Sequence, residues 1–535
     1  MKPALLFAAV AVLFGQTDQA PLPRIVQKEG RYALLVDGAP YLILGAQVNN
    51  SSAWPAMLPK VWPAVEYLRA NTVEIPVYWE QFEPEAGRFD YATVDTLLSQ
   101  AREHHVRLVL LWFGTWKNGS SHYMPLWMKR DPERYPRLLG ANGRRVDSPS
   151  PHAAATLAAD KRAFAALMRH LKASDPRRTV IMVQVENEAG AYGSVRDYSP
   201  EAQKAFESPV PAELLATLHK AASPTANWSA VFGADADEFF HAWSVAHFVG
   251  QVAAAGKVEY PLPLYANAAL RDPLQPGPPS SYESGGPTDN VIPIWKAAAP
   301  ALDLLAPDIY QSDAARYLKA LELYSRPDNP LFVPETGNLP AGARFFFAAL
   351  GRGAIGYAPF GIDYTGFSNA PLGAPRLNEE SLAPFALNYK LIGPMMREIA
   401  RLNFEGKLQT AVEEKEEHSK TLEFGRWNAV VSYGVPQFGF GNNPKGNPEP
   451  VGRALVAQIA DNQFLVAGFF CRVDFHVRNA SDAAPGKQRE FLRVEEGAYL
   501  AGAFKPIRIW NGDQTDWGLN FSSAPQALRV TMGAY

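Results

Sequence analysis

Thr179-Val180-Ile181-Met182-Val183-Gln184-Val185-Glu186-Asn187-Glu188-Ala189-Gly190 is the stretch whose reading decides the fold. A turn signal, Asp175-Pro176, precedes it, and the apolar run that follows reads as a strand covered on both faces, as in parallel sheets of α/β proteins. The run ends abruptly in Gln184, Glu186, Asn187 and Glu188. Polar groups crowded at the end of a buried strand cost free energy to desolvate unless they serve a purpose there. In barrels and open α/β sheets the C-terminal strand end is where active sites lie.

A second stretch has the same form. Asn329-Pro330-Leu331-Phe332-Val333-Pro334-Glu335-Thr336-Gly337-Asn338 is a short apolar run that delivers one carboxylate at its end. Two strands that each present a Glu meet the requirement of glycoside hydrolysis. One carboxylic acid protonates the leaving oxygen, and the other attacks the anomeric carbon or activates water.

Working outward, strand and helix patterns alternate. Strands are expected at 41–48, 72–79, 106–113, 180–188, 263–268, 302–310, 331–335 and 354–360, with helices at 61–70, 91–104, 157–171, 237–255, 291–298, 314–324, 341–350 and 382–402. Eight alternations with Glu188 on the fourth strand and Glu335 on the seventh predict a (β/α)₈ barrel of the triosephosphate isomerase type, an α/β fold. From about residue 404 the character changes. Short β-rich segments at 427–433, 455–459, 464–477, 488–494 and 507–510, separated by Gly, Pro and Asn, predict a smaller all-β, sandwich-like domain. The expected organisation is a signal peptide over 1–20, a catalytic barrel over 21–403 and a β domain over 404–535. The charged run Glu413–Glu417 reads as a solvated turn or helix, and 442–450 as a long loop.

The run Val183-Gln184-Val185-Glu186-Asn187-Glu188-Ala189-Gly190 resembles the signature of glycoside hydrolase family 35, a β-galactosidase family with a (β/α)₈ barrel. The resemblance implies that Glu188 is the acid/base and Glu335 the nucleophile of a retaining enzyme, with Glu186 a supporting residue outside the chemistry. It implies further that Asn187 bonds the sugar 2-hydroxyl. The second strand ends in Tyr78-Trp79-Glu80-Gln81-Phe82-Glu83-Pro84, similar to another element of that family, so Tyr78 is a candidate contact to sugar or nucleophile and Glu83 is expected to hold the loop. Trp112, Trp116 and Asn118, at the end of the third strand, are candidates for a sugar platform, with packing of the barrel mouth the alternative. Gln47 at the end of the first strand and Tyr310 at the end of the sixth complete the set. Tyr310 is suited to orient the nucleophile, whereas Asp308 can equally be a buried, salt-bridged residue.

Composition narrows the partners. A net charge of −3 gives no reason to expect nucleic acid or an anionic membrane. The single cysteine, Cys471, rules out an intrachain disulfide and a thiolate metal site. His104-His105 lacks ligand spacing, so neither metal nor cofactor is expected. Met1-Lys2-Pro3, an apolar segment over 4–15 and polar residues before Ala20-Pro21 have the order of a secretory signal peptide, predicting export to the periplasm or beyond without stable membrane insertion. The expected activity is removal of terminal β-D-galactosyl units from a carbohydrate such as a plant cell-wall glycan. The alternatives are an exo-β-glycosidase for glucosamine or glucose and a non-catalytic carbohydrate-binding barrel.

Overall fold

A computed structural model describes residues 20–434, 444–478 and 489–534. The expected signal segment lies almost wholly outside them, as do Gln488 and the first two residues of the loop at 442–450. Eight parallel strands close into a barrel: β1 (Ile43–Gln47), β2 (Thr72–Tyr78), β3 (Arg107–Lys117), β4 (Val180–Asn187), β5 (Leu264–Ala269), β6 (Leu304–Ile309), β7 (Val333–Thr336) and β8 (Gly356–Pro359). β1 pairs with both β2 and β8, which closes the ring. A three-stranded antiparallel sheet (24–28, 31–36 and 39–41) precedes the barrel.

The apolar runs of the barrel strands are buried throughout because helices cover their outer faces. Helix Ala236–Glu259 is apolar on most of its surface, and it lies against helix Ala154–Ser174, helix Ile292–Ala298 and β4. Helix Ala314–Tyr324 starts where the Asp313 side chain accepts a hydrogen bond from the backbone N–H of Arg316.

The C-terminal part is two antiparallel sheets around their own core. Six strands in the order 408–412, 453–460, 463–469, 526–534, 489–500 and 503–510 form one, and 419–424, 427–433, 471–477 and 519–521 form the other. The expected strand over 464–477 is two strands. Phe470 between them adopts φ 52°, and the chain passes there from one sheet to the other. The strands at 408–412, 419–424, 519–521 and 526–534 were not foreseen, because polar residues on their open faces dilute the alternation.

Arg453 joins this unit to the barrel. It is buried, donates from Nε to Asn388 Oδ1 at 2.8 Å and stacks 4.5 Å from the Phe469 ring. Burial pushes its pKa down to about 9. Part of the charged run at 413–417 also departs from expectation. Lys415, Glu416 and Glu417 are exposed, but Glu413 is buried and accepts from the backbone N–H groups of Asn447, Val451 and Gly452 and from Asn447 Nδ2. It ties the loop ahead of strand 453–460 to the sheet and takes no solvated turn.

Candidate active site

Register brings the carboxylates together. Asp308 on β6 is the lateral neighbour of Glu335 on β7, and β4 delivers Glu188 from across the mouth. One oxygen each of Glu188, Asp308 and Glu335 lie within 4.8 Å of one another. Glu335 is held by two donors: Tyr310 O–H to Oε1 at 2.5 Å and Gln47 Nε2 to Oε2 at 2.8 Å. Burial and then the Glu335 charge push the Tyr310 hydroxyl well above its ordinary range, so it stays a donor.

Strict alternation would send Asn187 and Glu188 to opposite faces. The chain avoids this by placing Glu186 at φ 63° and Glu188 at φ 44°, two left-handed residues on either side of Asn187. β3 bulges alongside, where residues 112 to 117 span the length that 185 to 187 cover on β4. Glu186 is thereby turned out of the pocket. It accepts from the Trp116 N–H at 2.7 Å and shares a buried niche with Asp160. Gly114 makes room, since a Cβ there would stand 2.3 Å from Trp112 Nε1 and 2.8 Å from Glu186 Oε1. Burial, then Asp160, holds the Glu186 carboxyl well above the usual carboxylate range.

Lys117 went unnoticed in the sequence because its neighbours Trp116 and Asn118 looked more useful. Its Nζ is buried and donates to Asn187 Oδ1 at 2.8 Å. An ammonium can only donate, so this contact fixes the amide and leaves Asn187 Nδ2, which is buried without a protein partner, as a donor for a ligand hydroxyl. Asn267 was also missed. Its Oδ1 accepts from the Glu188 backbone N–H at 3.0 Å, while its Nδ2 donates to Asp308 Oδ2 at 2.5 Å. Asp308 is buried as one of the two expectations had it, but beside Glu188 and not in a salt bridge.

The platform expected at the end of β3 requires correction. Trp112 and Trp116 are fully buried. Trp112 Nε1 donates to Asp160 Oδ1 at 2.9 Å, and Trp116 packs edge-on to Phe248 with centroids 4.8 Å apart. Both face the helix layer, where no sugar can reach: Trp112 is the last residue in regular register with β4, and Trp116 lies inside the bulge that follows. Asn118 is the exposed first central residue of an Asn118-Gly119 turn, and φ values of 52° and 67° account for both identities. Tyr78 is buried in an aromatic wall, stacked on Tyr123 at 5.2 Å and accepting from the Ala53 N–H at 3.0 Å. Its hydroxyl therefore serves the β1–α loop and not the nucleophile. Glu83 accepts from Trp79 Nε1, the Gly87 N–H and Arg162, and so holds the loop. On the β1 and β8 side of the barrel mouth, a cavity of about 340 Å³ is lined by Asn49, Asn50, Ser51, Tyr123, Phe360 and Phe367 among others.

Glu188 is half-buried as a residue, with its carboxyl enclosed. Burial and then the Glu335 charge push its pKa up to about 7, against the opposing pull of Lys117. Two expectations follow. Replacing Lys117 by Met removes a cation that favours the charged form, so the alkaline limb of the pH–kcat/KM profile should move to higher pH while kcat/KM falls roughly tenfold as Asn187 loses its alignment. The second concerns stability. A folded pKa raised from 4.5 to about 7 means the folded state keeps a proton the unfolded chain releases, so stability is lost as pH rises between those values. Glu188→Gln should therefore be more stable than wild type at pH 8, by at most a few kcal/mol, with the gain vanishing at pH 4.5. Thermal melts at the two pH values check it, and a gain that does not depend on pH would refute it.

The trio of carboxylates is the set among the described residues that could hold a metal ion. Lys117 already supplies positive charge beside it, which disfavours a dication there.

Residues 61–251 match the family model "Beta-galactosidase" of glycoside hydrolase family 42, and residues 385–522 match "Domain of unknown function (DUF5597)". No curated protein matches the chain. Among solved structures, the β-galactosidase of Bacillus circulans sp. alkalophilus is similar at 14% identity, covering 67% of this chain and 57% of that one, with a TM-score of 0.49. The cold-adapted β-galactosidase of Rahnella sp. R3 is similar at 16% identity, covering 70% and 59%, with a TM-score of 0.49. An exo-β-1,4-mannosidase from Opitutaceae bacterium strain TAV5 has 16% identity, coverage of 71% and 63%, and a TM-score of 0.41. The chain thus spans 57% and 59% of the length of the two β-galactosidases. The expected assignment to family 35 is overturned by the family-42 match. An Asn-Glu pair closing the fourth barrel strand belongs to the whole clan, so eight residues could not separate its families. The chain folds as a closed eight-stranded parallel barrel, and its residues 61–251 match the family-42 β-galactosidase model.

Proposed function

We propose that the protein is a retaining exo-β-glycosidase that releases terminal, non-reducing β-D-galactosyl residues by double displacement. The observation that carries this reading is the close approach of Glu188 and Glu335, one carboxylate oxygen of each lying within 4.8 Å of the other. Retention needs roughly 5–5.5 Å, whereas inversion needs about 6.5–9.5 Å to admit a water between the carboxyls. Glu335, steadied by Tyr310 and Gln47, attacks the anomeric carbon as Glu188 gives its proton to the leaving oxygen. Once the ester forms, the Glu335 charge is gone and with it one cause of the raised Glu188 pKa, so Glu188 ionises and takes a proton from the attacking water. Asn187 Nδ2 donates to a sugar hydroxyl throughout.

The family-42 match supports galactose as the glycone. The order of residues at the N-terminus supports export to the periplasm or beyond, where a plant cell-wall glycan with terminal galactose is the proposed substrate. No helix among the described residues is long and apolar enough to cross a membrane. Aryl β-galactosides, β-glucosides and β-glucosaminides assayed side by side, with NMR of the first-formed anomer, test the reading. The β-galactoside should be the best substrate and the first product the β-anomer. An α-anomer would make the enzyme inverting, a different preferred aryl glycoside would replace the glycone, and binding without hydrolysis would favour a lectin-like barrel.

A further inference from the structure

Glu283 lies on the far side of the acid/base, in the loop after β5. Ala191 and Ser284 form an antiparallel bridge, with the Ala191 N–H donating to the Ser284 carbonyl at 2.8 Å and the Ser284 N–H to the Ala191 carbonyl at 3.1 Å. The Gly119 N–H donates to the Glu188 carbonyl at 2.9 Å, so the Asn118-Gly119 turn, the Glu188 segment and the Glu283 loop are laced together. The Glu283 side chain fills a niche that only glycines leave open. A Cβ on Gly119 would stand 2.1 Å from Glu283 Oε1, and one on Gly190 would stand 2.9 Å from its Cγ.

Glu283 is 1% exposed, and neither of its oxygens has a hydrogen-bond partner in the protein. A buried carboxyl without partners is costly, so structural carboxyls acquire them, as Glu83 and Glu413 do here. The groups whose charge reaches Glu283 are Glu188 and Lys117, which puts it at the acid/base end of the site. Tyr192 stands over the same region. Its hydroxyl feels Glu283 and Glu188, yet 52% of the residue is exposed, the pattern of a ring at a rim and not in a core.

The leaving oxygen must sit at Glu188, so whatever lies beyond Glu188 meets the leaving group and not the glycone. A flat exposed ring beside a bare carboxyl is chemistry suited to a sugar, which offers one C–H face and several hydroxyl donors. An aryl or alkyl leaving group gives the carboxyl nothing. We propose that Glu283 and Tyr192 form a leaving-group subsite that recognises a saccharide, with sugar hydroxyls bonding Glu283 and the sugar ring packing on Tyr192. The natural substrate is then a glycan or oligosaccharide and not a glycoside of a simple alcohol or phenol. This rests on the reading of the barrel as a glycosidase with Glu188 as its acid.

The test compares kcat/KM on an aryl β-galactoside and on β-galactosyl disaccharides for wild type, Glu283→Leu, Glu283→Gln and Tyr192→Ala. Glu283→Leu should lose about 10- to 100-fold on the disaccharides and less than about threefold on the aryl substrate. Glu283→Gln, which keeps hydrogen-bonding capacity, should recover part of that loss. Tyr192→Ala, at an exposed position that leaves the core untouched, should lose about three- to tenfold on the disaccharides alone. Equal losses on both substrate types, or none with Tyr192→Ala and Glu283→Leu, would overturn the subsite while leaving the glycosidase reading intact. A wild type inactive on every glycoside would overturn that reading and the subsite with it.

Discussion

Glu335→Gln is expected to reduce hydrolysis of every glycoside by roughly 10⁴–10⁶, the scale on which removal of a nucleophile acts. The amide is nearly isosteric, but it is neutral and a poor nucleophile. It also puts an NH₂ where Tyr310 O–H or Gln47 Nε2 now donates, so one of the two donors loses its acceptor. The loss should not depend on how acidic the leaving group is, because bond formation to the anomeric carbon fails before departure matters. Initial rates on dinitrophenyl, nitrophenyl and disaccharide substrates measure this. Residual activity above about 10⁻² of wild type on any of them would move the nucleophile elsewhere, with Asp308, its lateral neighbour on β6, the first place to look.

Glu188→Ala should behave differently on each substrate. Substrates with very acidic leaving groups need no proton, so their first step should keep most of its rate, whereas poorly leaving groups should lose about 10²–10⁴. The second step slows for all, since no base remains to deprotonate water, and a glycosyl-enzyme should accumulate with a burst of released phenol. Azide is small, anionic and needs no base. It should fit where the carboxyl was, restore turnover and yield the glycosyl azide with retained configuration. Losses independent of leaving group, with no response to azide, would mean that Glu188 is not the acid/base.

The contrast between Glu186 and Glu188 separates what can be read from a chain and what cannot. In a regular strand the two would share a face, and nothing in the local sequence says which carboxyl enters the pocket. The left-handed backbone at both positions and the bulge in β3 decide it, and they depend on Gly114 leaving space for the outward carboxyl. Trp112 and Trp116 point to the helix layer, and Lys117 at the far end of the bulge reaches Asn187, a contact that the spacing along β3 does not signal. Asn267 and Glu283 were equally hidden. Asn267 lies in β5, which like β8 has a weak strand pattern, Glu283 lies in the long loop after it, and each matters only through its nearness to Glu188.

The sequence by itself determined the strands that carry Glu188 and Glu335 and the change to an all-β unit beyond residue 404, because burial periodicity and turn residues are local properties that survive without knowledge of neighbours, while the count of eight strands that makes the barrel leaned in part on the family resemblance. It could not determine its own family from one clan-wide motif. Only the tertiary structure decided which polar residues meet. Hydrogen bonds such as Lys117 to Asn187, Tyr310 to Glu335 and Gln47 to Glu335 join positions 70, 25 and 288 residues apart, and strand register with backbone strain, not residue type, sets which side chains face one another.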